Sequence, residues 1–133
     1  MSVWTVPNGI TEITEQYVRN YMPKRATEVV IPASVENICS WAFNGCESLQ
    51  SVVISEGVRN IGECAFRDCA SLASVVIPEG IESIGEGAFY DCTRLESVVI
   101  PEGVISIGEG AFYNCVSLTS IVIPESVESI GAD

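Results

Sequence analysis

The chain has 133 residues, 47% hydrophobic and 18% charged, a length for one domain and a composition too apolar for a disordered chain. Eighteen acidic residues against six basic ones give a formal net charge of −12, the wrong sign for neutralising nucleic-acid phosphates. Histidine is absent, so the commonest general base and the commonest metal ligand are both missing.

The opening residues, Met1 to Pro7, have neither the basic flank nor the apolar run of a secretory signal. No stretch approaches the roughly 18–20 uninterrupted apolar residues that a membrane helix needs, so no membrane span is expected. Residues 1–28 read as a degenerate capping copy of a unit that becomes regular further on. The run from Trp4 to Ile13 lines up with the opening of the later units, with Trp4 in a core position. Tyr17, Val18 and Tyr21 then fall where Ala, Phe and Cys fall elsewhere, and the step to the next unit is two residues longer. Atypical end units are expected of a stack, whose outermost face must be capped.

From residue 29 the register is strict. Residues 29–133 hold four 23-residue units, beginning at Val29, Val52, Val75 and Val98, and a partial fifth from Ile121 to Asp133. Cys46, Cys69, Cys92 and Cys115 keep the same step, as do Phe43, Phe66, Phe89 and Phe112. So do Leu49, Leu72, Leu95 and Leu118, and Ile38, Ile61, Ile84, Ile107 and Ile130.

Within a unit, Leu95, Val98 and Ile100 have the spacing of a strand that sends Val98 and Ile100 inward and Ser97 and Val99 outward. Pro101-Glu102-Gly103 then suits a type I turn, with proline second and glycine fourth. Ser34 and Ser126 replace that glycine, which predicts that a positive φ is not required there. Val104 and Ile107 return to the core around a second turn at Gly108 and Gly110. Ala111, Phe112, Cys115 and Leu118 recur at roughly helical spacing and predict a short helical turn on the convex side. The expected fold is an α/β-type solenoid, a right-handed coil of stacked units with one parallel strand face. No unit has enough apolar groups for a core of its own, so stability must come from stacking.

The Ile-Pro, Ile-Gly and Ala-Phe-x-x-Cys-x-x-Leu elements over about residues 29–131 resemble the BspA-type leucine-rich repeat of bacterial and protozoan surface proteins. The Asn or Cys of the usual leucine-rich repeat is replaced here by Gly57, Gly80 and Gly103. The resemblance implies a leucine-rich-repeat coil and a binding scaffold, in the manner of adhesins that take host matrix or cell-surface proteins. It also implies a cell-surface or secreted location.

Candidate sites follow from the columns. Val30, Val53, Val76, Val99 and Val122 form an outward apolar ridge roughly 20 Å long, flanked by Ser51, Ser74, Ser97 and Ser120. An apolar centre with a polar rim is the anatomy of an interface, so these residues are the candidate partner-binding surface. Glu56, Glu79, Glu102 and Glu125 form one exposed acidic column and Glu63, Glu86 and Glu109 another, read as a solubilising rim. Four cysteines in one core-facing column read as buried thiols, because in-register Cβ vectors run parallel and fit a disulfide badly. Cys39 and Cys64 replace glycines at turns and are expected to be the exposed thiols. No catalytic, cofactor or metal constellation is present in the sequence, so an enzyme is not expected. Arg19, Lys24 and Arg25 make the N-terminal end comparatively positive, while the last unit presents an open apolar edge. A homo-oligomer through that edge or through the strand face is therefore the alternative to a protein ligand.

Overall fold

The computed structural model describes residues 2–131. The chain lays down one longer and one shorter strand per coil. In chain order these are β1 (Val3–Thr5), β2 (Glu12–Ile13), β3 (Glu28–Ile31), β4 (Asn37–Ile38), β5 (Ser51–Ile54) and β6 (Asn60–Ile61). They continue as β7 (Ser74–Val76), β8 (Ser83–Ile84), β9 (Ser97–Val99), β10 (Ser106–Ile107), β11 (Ser120–Val122) and β12 (Ser129–Ile130). The odd strands make one six-stranded sheet and the even strands a second. Pairing is parallel, and equivalent residues of successive coils lie side by side: Val29 against Val52, Val52 against Val75, Ile38 against Ile61. The molecule is thus a parallel-strand solenoid with coils of about 23 residues.

The core lies between the two sheets and the turns. Val52, Ile54, Val58 and Ile61 of one coil are buried on Val75, Ile77, Ile81 and Ile84 of the next. Phe43, Phe66, Phe89 and Phe112 form a ladder with ring centroids 5.1, 5.3 and 5.4 Å apart and planes within 4° of parallel. Offset stacking of this kind adds about 0.5–1.5 kcal/mol per pair beyond area burial.

The expected helical turns on the convex side are not there. Among the described residues the one α-helix is α1 (Glu15–Tyr21), in the first coil, N-capped by Thr14, whose Oγ1 accepts the Tyr17 N–H at 3.1 Å. The Ala-Phe-x-x-Cys segments are instead extended series of turns. Cys64, Asp68, Asp91 and Asn114 have φ of 52°, 60°, 61° and 60°, in the left-handed region that interrupts a helix at once. Alternate N–H groups then bond to the neighbouring coil and not to their own: Phe66 to Ala88 at 2.8 Å and Asp68 to Tyr90 at 2.8 Å. The apolar spacing of this segment resembles that of a helix, but its backbone is satisfied between coils.

Two further differences concern the strand ends. The turn after the longer strand closes from the Val35 N–H to the Pro32 carbonyl, so proline stands first in the turn and the Gly or Ser stands third. Gly9, Gly80 and Gly103 occupy that third place with φ of 103°, 100° and 103°, whereas Ser34, Gly57 and Ser126 do without a positive φ, so the turn uses that conformation in some coils but does not require it. Where serine stands there, its hydroxyl bridges coils: Ser34 Oγ accepts the Gly9 N–H at 3.0 Å and donates to the Ile10 carbonyl at 2.9 Å. The second sheet was not anticipated, because two residues are too few to show alternation. It carries its own side-chain ladder, in which Asn60 Nδ2 donates to Asn37 Oδ1 at 3.0 Å and Ser83 Oγ donates to Asn60 Oδ1 at 2.7 Å.

Removing one rung of the ring ladder leaves a cavity that the rigid neighbours cannot close. Phe66→Ala should lower unfolding stability by about 3–5 kcal/mol in urea denaturation, the range for large aromatic truncations in a core.

Candidate interaction surface

The strand face is set by parity. In β5 the burial alternates, with Val52 and Ile54 inside and Ser51 and Val53 outside, and β7 and β9 repeat this. Parallel in-register pairing then lines up equal residues: Val30 beside Val53 beside Val76, and Ser51 beside Ser74 beside Ser97 beside Ser120. Val53, Val76, Val99 and Val122 are 44%, 69%, 67% and 63% exposed, a contiguous apolar strip. Val30 is half-buried, and Thr5 of β1 lies beside it in register. Ser74, Ser97 and Ser120 are exposed, while Ser51 is half-buried and donates to Glu28 Oε2 at 3.0 Å. The structure thus places all nine sequence-derived residues on one face.

A groove of about 520 Å³ flanks the serine column, lined by Gln50, Ala73 and Glu96 with Ser71, Arg94 and Ser117. Sequence reasoning passed over it, because Arg94 and Glu96 depart from the repeat. At the last coil Ile121, Ile123 and Ile130, whose counterparts in earlier coils face the core, are 36%, 44% and 57% exposed. Both acidic columns are exposed, as expected of a rim.

The cysteines separate into two groups. All six are free thiols. In the core column Cys69, Cys92 and Cys115 donate S–H to the carbonyls of Phe43, Phe66 and Phe89 at 3.2, 3.1 and 3.1 Å. A side chain small enough for the core and able to donate one weak hydrogen bond explains cysteine at this place. Cys46 of the same column is only half-buried, at the edge of a hollow of about 500 Å³ beneath α1. The expectation of two exposed turn thiols is wrong for Cys64, which is buried, and Cys39 is half-buried. Cys64 is covered because its Sγ points along the turn toward the next coil and packs closely on Gly87, where a Cβ would lie 3.1 Å from it. Trp4, expected in the core, is half-buried and packs on the core's edge against Tyr17.

Burial pushes the Cys92 thiol up to about 12 and the Cys46 and Cys115 thiols up to about 11, and lifts Cys69 well above the ordinary value. An acid whose folded pKa is raised loses its proton more readily when unfolded. Its contribution is therefore complete below about pH 9 and drains away as pH rises toward the folded values. Stability should hold steady from neutrality to about pH 8.5 and then fall by up to about 1.4 kcal/mol per pH unit per thiol. Urea denaturation against pH measures this, and Cys92→Ala should flatten the alkaline slope.

Among the described residues, no group of three His, Cys, Asp or Glu side chains is placed to hold a metal ion. Nor is any helix among them long and apolar enough to cross a membrane.

A family model described as a BspA type leucine rich repeat region matches residues 11–133 in six copies. Among solved structures, a leucine-rich repeat protein of T. pallidum is similar at 37% identity and a TM-score of 0.80, over 84% of this chain and 54% of that one. A leucine-rich cell surface protein of Faecalibacterium prausnitzii is similar at 34% identity and a TM-score of 0.80, over 98% of this chain and 38% of that one. A leucine-rich repeat protein from Bacteroides ovatus shares the fold at 21% identity and a TM-score of 0.57, over 98% of this chain and 48% of that one. The chain therefore spans about half or less of the length of these relatives. A comparison with curated proteins gives no significant match.

Proposed function

The chain belongs to the BspA-type leucine-rich repeat family, and we propose that it is a non-catalytic, adhesin-like scaffold that binds a protein ligand through its exposed strand face. Regions of this family are generally protein-interaction modules. The observation that carries the reading is the apolar strip of Val53, Val76, Val99 and Val122 beside exposed serines. Monomers seldom expose a contiguous apolar strip that serves nothing. A non-catalytic role is supported by the repetition itself, since carboxylates and thiols recur in columns and none forms a unique constellation. The description of the F. prausnitzii relative as a cell surface protein supports an extracellular ligand, such as a matrix or cell-surface protein.

The ridge cannot be the whole interface. Strands about 4.8 Å apart and a strip about 10 Å wide give only some 200–250 Å², against about 800 Å² per partner in a stable complex. The ligand must therefore reach past the valines onto the serine column and the groove at Arg94 and Glu96. Burying each exposed valine contributes up to about 1.5 kcal/mol, so the strip acts as a central anchor and the polar flank sets register.

A Val76→Glu, Val99→Glu double variant places two charges in the centre of the strip without touching the core. It should unfold like the parent and bind a panel of purified matrix proteins at least about tenfold more weakly by biolayer interferometry. Equal binding by parent and variant would remove the strand face from the proposal. Light scattering tests the alternative, self-association through the ridge. That reading requires the parent to be larger than a monomer and the variant to dissociate.

A further inference from the structure

The turns on the far side of the short strands carry a second surface of different chemistry. Arg67, Tyr90 and Tyr113 occupy one outward column, and the Arg67 guanidinium carbon lies 4.5 Å from the Tyr90 ring centroid and 5.7 Å from that of Trp41. Tyr90 and Tyr113 stack with centroids 4.9 Å apart. Beside this stack lies a groove of about 330 Å³, lined by both tyrosines, by Glu86 and Glu109, by Arg67 and Cys64, and by Gly87 and Gly110. Gly110 borders the groove closely, since a Cβ there would be in ordinary contact, at 3.8 Å, with atoms of both Tyr113 and Tyr90. Glu86 and Glu109 are exposed, and neither takes part in an ion pair among the described residues.

We propose that this groove receives an arginine side chain from a basic segment of a partner protein. Three features converge on that occupant. Stacked carboxylates about 5 Å apart repel each other by roughly 0.8 kcal/mol in water, and a cation between them turns that repulsion into two attractions. A guanidinium presents donors on more than one edge and can serve both carboxylates, while its flat face and stem lie against tyrosine. Arg67 already rests on Tyr90 at one end of the groove, which shows that a guanidinium suits this stack and leaves the exposed Tyr113 to the incoming one, with two carboxylates against the single Arg67 charge. The formal net charge of −12 draws a basic segment toward the surface and opposes an acidic one. None of these residues belongs to the valine ridge, so the inference stands or falls apart from the strand-face reading.

The experiment is isothermal titration of the full chain with a short peptide alternating arginine and serine, and with its lysine counterpart. The Glu86→Gln, Glu109→Gln variant should bind the arginine peptide at least about tenfold more weakly, and Tyr113→Ala should also weaken it. A Glu56→Gln, Glu79→Gln variant removes the same charge from the other acidic column and should change affinity by less than about threefold. The arginine peptide should bind more tightly than the lysine peptide. Equal losses in the two glutamine variants would mean attraction to overall charge and would overturn the proposal. No binding by the parent at low salt, or no preference for arginine, would overturn it as well.

Discussion

Hydrogen bonds between equivalent positions of successive coils govern this molecule, and their direction changes along each turn. The Gly85 N–H bonds back to the Ile61 carbonyl at 2.8 Å, while the Gly87 N–H bonds forward to the Glu109 carbonyl at 2.9 Å. The same reversal occurs between Gly62 and Cys64, and between Cys39 and Trp41. Turning the backbone over within two residues requires a left-handed residue, and Trp41, Cys64, Gly87 and Gly110 all have positive φ. The residue before the reversal lies directly on the coil beneath, where a Cβ on Gly85 would sit 2.6 Å from the Gly62 carbonyl carbon. Cys39 escapes that constraint because the coil beneath it turns away at Thr14 into α1.

What could be seen in the sequence and what could not divides along the same line. Columns of Phe, Cys, Leu and Ile recur because stacking brings like onto like, so the coil and the inward faces were legible from period alone. The parity of Ser97, Val98, Val99 and Ile100 gave the outward face for the same reason. The turns were misread because the apolar spacing of Ala111, Phe112 and Cys115 resembles a helix. The positive φ of Asp91 and Asn114 and the N–H bonds to the neighbouring coil rule the helix out. Asn and Asp tolerate that region better than other non-glycine residues, so Asp68, Asp91 and Asn114 below Gly45 were the available signal. The Arg67–Tyr90–Tyr113 column was missed because its residues differ from coil to coil, and a search for repeats discards differences.

Rigid stacking also decides how such a chain can bind. Each side chain stands over its counterpart at a fixed spacing, so outward columns form pre-organised lines that need little ordering when a partner arrives. The strand face offers apolar area with hydroxyls beside it, and the turn face offers tyrosine and carboxylate. The two chemistries call for different contacts on a partner, and neither strains the core behind it.

The outward columns differ in how strictly they repeat, and the difference is informative because packing does not impose it. Outside the second sheet, one column reads Glu36, Arg59, Glu82, Ile105, Glu128, so exposed positions tolerate either charge or none. Arg59 and Glu82 use that freedom to form an exposed ion pair at 3.4 Å, worth at most about 1 kcal/mol. The exposed valines do not vary, and β-propensity alone accounts for valine in a strand. It does not account for Ser51, Ser74, Ser97 and Ser120, since serine is no strand former and these residues are not needed by the core. The acidic columns repeat as strictly, but carboxylates are ordinary on a solvated surface, whereas an exposed line of valine beside serine from β5 to β11 is not, which is why the strand face, and not the acidic rim, carries the proposed function.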